Sequence, residues 1–196
     1  MALNDEDFMT IEQLGDKFPQ DWISVKGLWP YIKRLGMDLV GVEIGTCRAE
    51  STVFLLDKCS NIKKIYTVDP YKAYQDWNGE ITQETVDKFR VIAQTNLKKY
   101  GDQAEMVRME SVDFAKKCKK DKIEFDFIFV DGDHSYEGTL ADCEAYYPLL
   151  KNGGVFCGHD YQSLDSVRQA VNDFRKNNNI SAPLNLSTNS AFFWNK

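Results

Sequence analysis

The sequence holds no apolar run approaching the roughly 20 residues a bilayer-spanning helix requires, so no membrane association is expected. Its five cysteines, Cys47, Cys59, Cys118, Cys143 and Cys157, form no CxxC pair and no metal-finger spacing. An odd cysteine count behind an acidic opening with no signal-type apolar core points to free thiols in the cytoplasm. A basic stripe is also missing. Paired lysines at 63, 98, 116 and 119 are scattered, and the net charge is −6. That balance excludes a nucleic-acid backbone as the expected partner. Histidine is nearly absent, with two residues in 196. Internal repeats and low-complexity tracts are absent too. What remains, 43% apolar and 28% charged, is too apolar for disorder and sized for one domain.

Short apolar runs alternate with longer segments of helical character. Strands are expected at 38–44, 62–69, 104–110, 125–131 and 153–160. Helices are expected at 51–59, 83–101 (stopped by Gly101), 111–120, 137–150 and 163–178. Two short strands around a polar turn close the sequence at 183–196. Strands joined by crossover helices give a parallel, doubly wound α/β sheet with helices on both faces. Residues 1–36 read as a helical cap and 37–196 as a cofactor-binding core.

Ligands of such sheets bind at the carboxyl ends of the strands. Here those ends carry Glu43, Asp69, Glu110, Asp131 and the pair His159-Asp160. Strand ends reach solvent, which accounts for one or two acids; five in five points to an acidic crevice. The loop VEIGTCRAES has only Gly45 at the turn, where a dinucleotide site needs three glycines, and Glu43 would repel a phosphate. These features count against a nicotinamide-dependent oxidoreductase. S-Adenosyl-L-methionine, with a sulfonium, an ammonium and no phosphate, suits the crevice. Asp69, 26 residues past Glu43, can accept both ribose hydroxyls, and Glu110 and Ser111 can meet the adenine edge.

Four segments in order, VEIGTCRAEST, IYTVDPY, FIFVDGDHSYEGTLADCEAYYPLLKNGGVFCGHDY and the closing strand pair, resemble class I S-adenosylmethionine-dependent methyltransferases. The resemblance is to the metal-dependent O-methyltransferase branch: catechol, caffeoyl-CoA, and small-molecule or sugar enzymes with an HDY motif. It implies a Rossmann-like seven-stranded sheet in the order 3-2-1-4-5-7-6 with strand seven antiparallel. It also implies Glu43, Gly45, Thr46 and Ser51 at the methionine part of the cofactor, Asp69 at the ribose and Ser111 at the adenine, with Asp131 bordering the sulfonium. Arg48-Ala49 departs from the small residue and glycine usual in relatives.

In those relatives an acid ending strand four and an acid-amide pair ending strand five hold a divalent cation. The matching positions are Asp131, His159 and Asp160, and His134 stands where the relatives carry a lysine base. The implied cation is magnesium or manganese; the imidazole ligand favours manganese, iron or zinc. A structural alternative for His159 is a hydrogen bond to a neighbouring loop. Asp133 is expected to cap the turn after it. Cys47 and Cys157 are expected to be buried, and Trp194 to lie in the core. Trp29 is expected to pack on the sheet, while Trp22 or a Trp77 loop could cover a substrate. The resulting expectation is methyl transfer to a hydroxyl of a small molecule. A non-catalytic cofactor-binding protein is the alternative, and a homodimer is left open.

Overall fold

The computed structural model describes residues 3–17, 23–76 and 79–196; Trp22 and Trp77 lie outside the described residues. The first part holds a 3-10 turn, Asp5–Phe8, and two short helices, α1 (Ile11–Leu14) and α2 (Trp29–Ile32). Asn4 and Thr10 start the first two of these through capping boxes, each satisfying main-chain donors that a helix end leaves free. The chain then runs β1 (Leu39–Ile44), α3 (Glu50–Lys58), β2 (Ile62–Val68), a hairpin of β3 (Tyr74–Asp76) and β4 (Gly79–Ile81), and α4 (Gln83–Leu97). Next come β5 (Ala104–Val107), α5 (Ser111–Asp121), β6 (Phe125–Val130), α6 (Tyr136–Tyr146), β7 (Leu150–Gly158), α7 (Asp165–Asn177), β8 (Asn185–Leu186) and β9 (Phe192–Asn195).

Seven strands form one sheet in the order β5-β2-β1-β6-β7-β9-β8. β9 runs antiparallel to both neighbours, and the other pairs are parallel. Counted along the main sheet this is the expected order 3-2-1-4-5-7-6. The small hairpin of β3 and β4 falls in a segment expected to be loop; strands of three residues are too short to display a two-residue period. α4 ends at Leu97 and continues as a 3-10 turn, Lys98–Gln103, in which Gly101 takes φ +53°. The positive φ, which glycine adopts readily, breaks the helical path there, while the α-helix itself ends four residues before the expected stop.

The sheet is buried on both faces, which is why β6 reads FDFIFV rather than alternating with polar residues. Ile128 and Val130 face the core under α5, α6 and α7, together with Phe156, Phe192 and a fully buried Trp194. Phe127 and Phe129 face the opposite core, built with α2, α3 and residues Ile23, Val25 and Leu28. Trp29 packs against that second core. Residues 23–32 therefore contribute apolar side chains to the main packing. No helix among the described residues is long and apolar enough to cross a membrane.

Gly41 in β1 makes room for Phe127: a Cβ there would lie 2.0 Å from the ring. Gly41→Ala should therefore cost about 1–3 kcal/mol in urea unfolding. In a Phe127→Leu background the added penalty should shrink, because the two sites share one volume. An equal penalty in both backgrounds would refute the clash.

Candidate active site

The strand order reverses between β1 and β6, the place where open α/β sheets bind ligands. Gly45 follows β1 with φ +89°, and its Cβ would stand 2.0 Å from the Asp131 carbonyl oxygen, so only glycine fits. Its N–H donates to the Val68 carbonyl at 2.9 Å. Cys47 and Ala49 also take positive φ, +45° and +68°. Ala49 thus adopts the left-handed conformation that a glycine would supply more cheaply. Arg48 turns away, onto Glu50 at 2.6 Å and Asp7 at 3.3 Å, with its guanidinium over Phe89. Cys47 is exposed, which corrects its expected burial; the left-handed turn leaves it on the outside. Cys157 is buried, its thiol against the Ile128 carbonyl.

Asp69, directly after β2, closes this loop. Its carboxylate accepts from Cys47 N at 3.0 Å and Tyr71 N at 2.7 Å. Burial raises its pKa, opposed by the main-chain donors of Cys47, Tyr71 and Thr46. The Tyr71 hydroxyl donates to the Cys47 carbonyl at 3.0 Å. Thr46 is buried within the same turn.

Beyond Asp131 the two histidines meet the two carboxylates. His134 Nε2 lies 3.2 Å from Asp160 Oδ2 and 3.7 Å from Asp131 Oδ1. From the other side, His159 Nδ1 lies 3.1 Å and 3.7 Å from the same oxygens. Burial pushes both imidazoles toward neutrality, but the carboxylates outweigh it and raise both pKa values. Asp160 shows the counterpart. Burial would raise it, yet the hydrogen bonds from His159 and Ser163 and the two imidazoles hold it below the usual carboxylate range. Asp160 takes φ +60°, and Ser163 Oγ donates to it at 2.7 Å. Asp133 accepts from Ser135 N at 2.8 Å and so shapes the turn, as expected.

Donor atoms of Asp131, His134 and Asp160 lie within 4.8 Å of one another, a trio that holds His134 where His159 was expected. A divalent ion with bonds of about 2.0–2.2 Å holds neighbouring ligand atoms roughly 3–3.5 Å apart. The mixed nitrogen and oxygen donors suit such an ion; the 3.2 Å separation falls in that range and the 3.7 Å one lies just beyond it.

Other expected site residues are placed differently. Glu43 lies inside β1, 2% exposed, and accepts from Thr52 of α3. Burial raises its pKa well above the usual value, against the Thr52 bond, with Asp131, Glu50 and Asp69 adding to the rise. It faces α3, tying that helix to the strand, so it does not line an open crevice. Glu110 stands three residues past β5 on the surface, paired with Lys72. The Ser111 hydroxyl donates to Asp142, and its carbonyl accepts from Tyr146. Ser51 joins Ser24, and Ser24 donates to Asp131. Ser24 was not among the residues singled out from the sequence. It belongs to the segment before β1, and no local pattern marks it.

The reversal point thus carries a glycine turn on one side and an acid-imidazole cluster on the other. A sequence profile described as a methyltransferase domain matches residues 42–161, and the chain belongs to that family. An uncharacterised protein of Acanthamoeba polyphaga mimivirus is 30% identical over 141 residues, which cover 69% of this chain. The chain spans 58% of that relative's length. Among solved structures, an O-methyltransferase from Bacillus cereus in complex with S-adenosylhomocysteine superposes with a TM-score of 0.65 at 20% identity, over 100% of this chain and 93% of that one. CalS11, a TDP-rhamnose 3'-O-methyltransferase of calicheamicin biosynthesis, gives 0.65 at 14% identity, over 100% and 87%.

Asp142 beneath Ser111 makes a pH prediction. Burial raises its pKa from 3.8 to about 6, despite the Ser111 bond that opposes the rise. The folded chain therefore holds this proton more tightly than the unfolded chain. The stability it contributes is full below about pH 4 and is lost as pH rises through about 6. Asp142→Asn should thus exceed the wild type in stability at pH 8 by on the order of 2 kcal/mol. The difference should vanish toward pH 4, and urea titrations at both pH values measure it. A constant difference would remove Asp142 as the titrating group.

Proposed function

We propose that this chain transfers the methyl group of S-adenosyl-L-methionine to a hydroxyl oxygen of a small molecule. The observation that carries the reading is the convergence of His134, His159, Asp131 and Asp160 beside the Gly45 turn. Family membership supports methyl transfer, and the fold shared with O-methyltransferases supports this cofactor class.

In this reading Gly45, Thr46 and Ser51 border the methionine end of the cofactor. Asp69 keeps acceptor capacity for the ribose hydroxyls beyond its two main-chain bonds. Glu110 and Ser111 border the adenine, and Glu43 acts from beneath by holding the start of α3. S-Adenosyl-L-methionine, when bound, would supply an electrophilic methyl group and be left as its neutral thioether; the proton of the acceptor hydroxyl passes to a base. His134, with a side chain 35% exposed, is that base; His159, at 17%, is the more enclosed and orients the carboxylates. Magnesium or manganese held by Asp131, Asp160 and His159 would supply Lewis-acid stabilisation of the acceptor oxygen, with His134 kept for the proton. The nitrogen donor favours manganese.

Labelled methyl transfer from the cofactor to a panel of hydroxyl acceptors tests the reading. His134→Gln should lower turnover about 10²–10⁴-fold with affinity for S-adenosylhomocysteine nearly intact. Asp69→Ala should weaken that affinity by about 1.5–3 kcal/mol per charged hydrogen bond lost. A chelator should reduce activity, with manganese restoring it; full activity in chelator would remove the cation. Absence of S-adenosylhomocysteine binding by calorimetry would sink the whole reading.

A further inference from the structure

Ser24 lies outside the residues matched by the methyltransferase family, yet it touches the centre of the candidate site. Its hydroxyl is within 2.6 Å of Asp131 Oδ2 and 2.8 Å of Ser51 Oγ. A carboxylate only accepts, so Ser24 spends its one proton on Asp131. Ser51 must then donate to Ser24. The result is a directed chain from the first turn of α3 to the acid after β6. It leaves Asp131 with distinct oxygens: Oδ2 is anchored by Ser24, while Oδ1 faces both imidazoles at 3.7 Å.

The segment carrying Ser24 is itself held. Asn189 Nδ2 donates to the Ile23 carbonyl at 3.2 Å, and Ser187 Oγ donates to the Gly27 carbonyl at 2.9 Å. Gly27 admits that contact, since a Cβ there would lie 2.1 Å from Ser187 Oγ. The same turn holds the loop after β7, because Ser190 Oγ accepts from Gln162 N and Ser163 N at 2.8 and 3.0 Å. Ile23, Val25 and Leu28 around Ser24 are buried. The hydroxyl is therefore fixed from both sides of the site. Ser24 itself is 9% exposed.

We propose that Ser24 is a positioning residue: its hydrogen bond fixes the rotation of the Asp131 carboxylate, so that one oxygen is presented to His134 and His159. The rotational claim stands on the geometry alone; its catalytic consequence rests on the methyl-transfer reading. Without the Ser24 proton, Asp131 Oδ2 loses its donor and the carboxylate is free to turn about χ2.

The chain has only two histidines, so imidazole NMR at one fixed pH reports on this cluster directly. Ser24→Ala should move the ring resonances of His134 and His159 in the protein alone, and Ser24→Thr, which keeps the hydroxyl, should restore them. Thermal melts should show all three proteins equally folded. Should Ser24→Ala fail to fold, Ser24→Cys retains the volume with a far weaker donor and serves in its place. In methyl transfer, Ser24→Ala should lower kcat roughly tenfold to a hundredfold, as expected for one hydrogen bond to a charged group, with KM for the cofactor changed far less. Ring resonances that superpose in Ser24→Ala and wild type would overturn the proposal. A wild type that fails to bind S-adenosylhomocysteine would instead overturn the methyl-transfer reading, with the resonance comparison still deciding the role of Ser24.

Discussion

The contact between Gly45 and the Asp131 main chain is the constraint on which the site depends. A Cβ at Gly45 would fall 2.0 Å from the Asp131 carbonyl oxygen, so the two strand ends touch backbone to backbone. That contact lets the turn of residues 45–49 and the cluster after β6 share one wall. Asp131 N also donates to the Ile44 carbonyl at 2.8 Å, extending the β1–β6 pairing past the last paired strand residues. A bulkier residue at 45 would push the loop off the sheet and the acids away from it.

Carboxylates are concentrated around this wall, and burial alone would drive protons onto them. The structure offsets it by a different device at each acid. Asp69 receives main-chain N–H groups that oppose the rise without cancelling it, and Asp160 receives two imidazoles and a serine that hold it below the usual carboxylate range. Glu43 and Asp142 have only a hydroxyl partner each, Thr52 and Ser111, and their pKa values stay raised.

Much of this was legible in the sequence. Apolar runs of strand length separated by helical segments set out the parallel sheet, and Asp69, Asp131 and His159-Asp160 each follow a strand end directly. Glu43 was less legible. It shares a face of β1 with Gly41, toward α3, and only the placed helix reveals that Thr52 covers it. Glu110 sat at the end of an expected strand that stops at Val107, so it became a surface residue at the start of a helix. At Arg48-Ala49 a departure from the usual pattern is absorbed by backbone strain at Ala49 and by two acids for Arg48. Ser24 was invisible because its partner is 107 residues away and a lone serine carries no periodic signal.

The stitching of residues 23–27 to the turn at 187–190 bears on how the chain acquires its site. Ser187 and Gly27 are 160 positions apart, among the longest loops the fold must close. Such contacts form late, because their closure entropy is met only once the intervening sheet is in place. During synthesis the glycine turn and the acids at 131 and 160 emerge before the hairpin of β8 and β9 that pins the early segment. The segment bearing Ser24 is therefore pinned only after the sheet that it braces is in place.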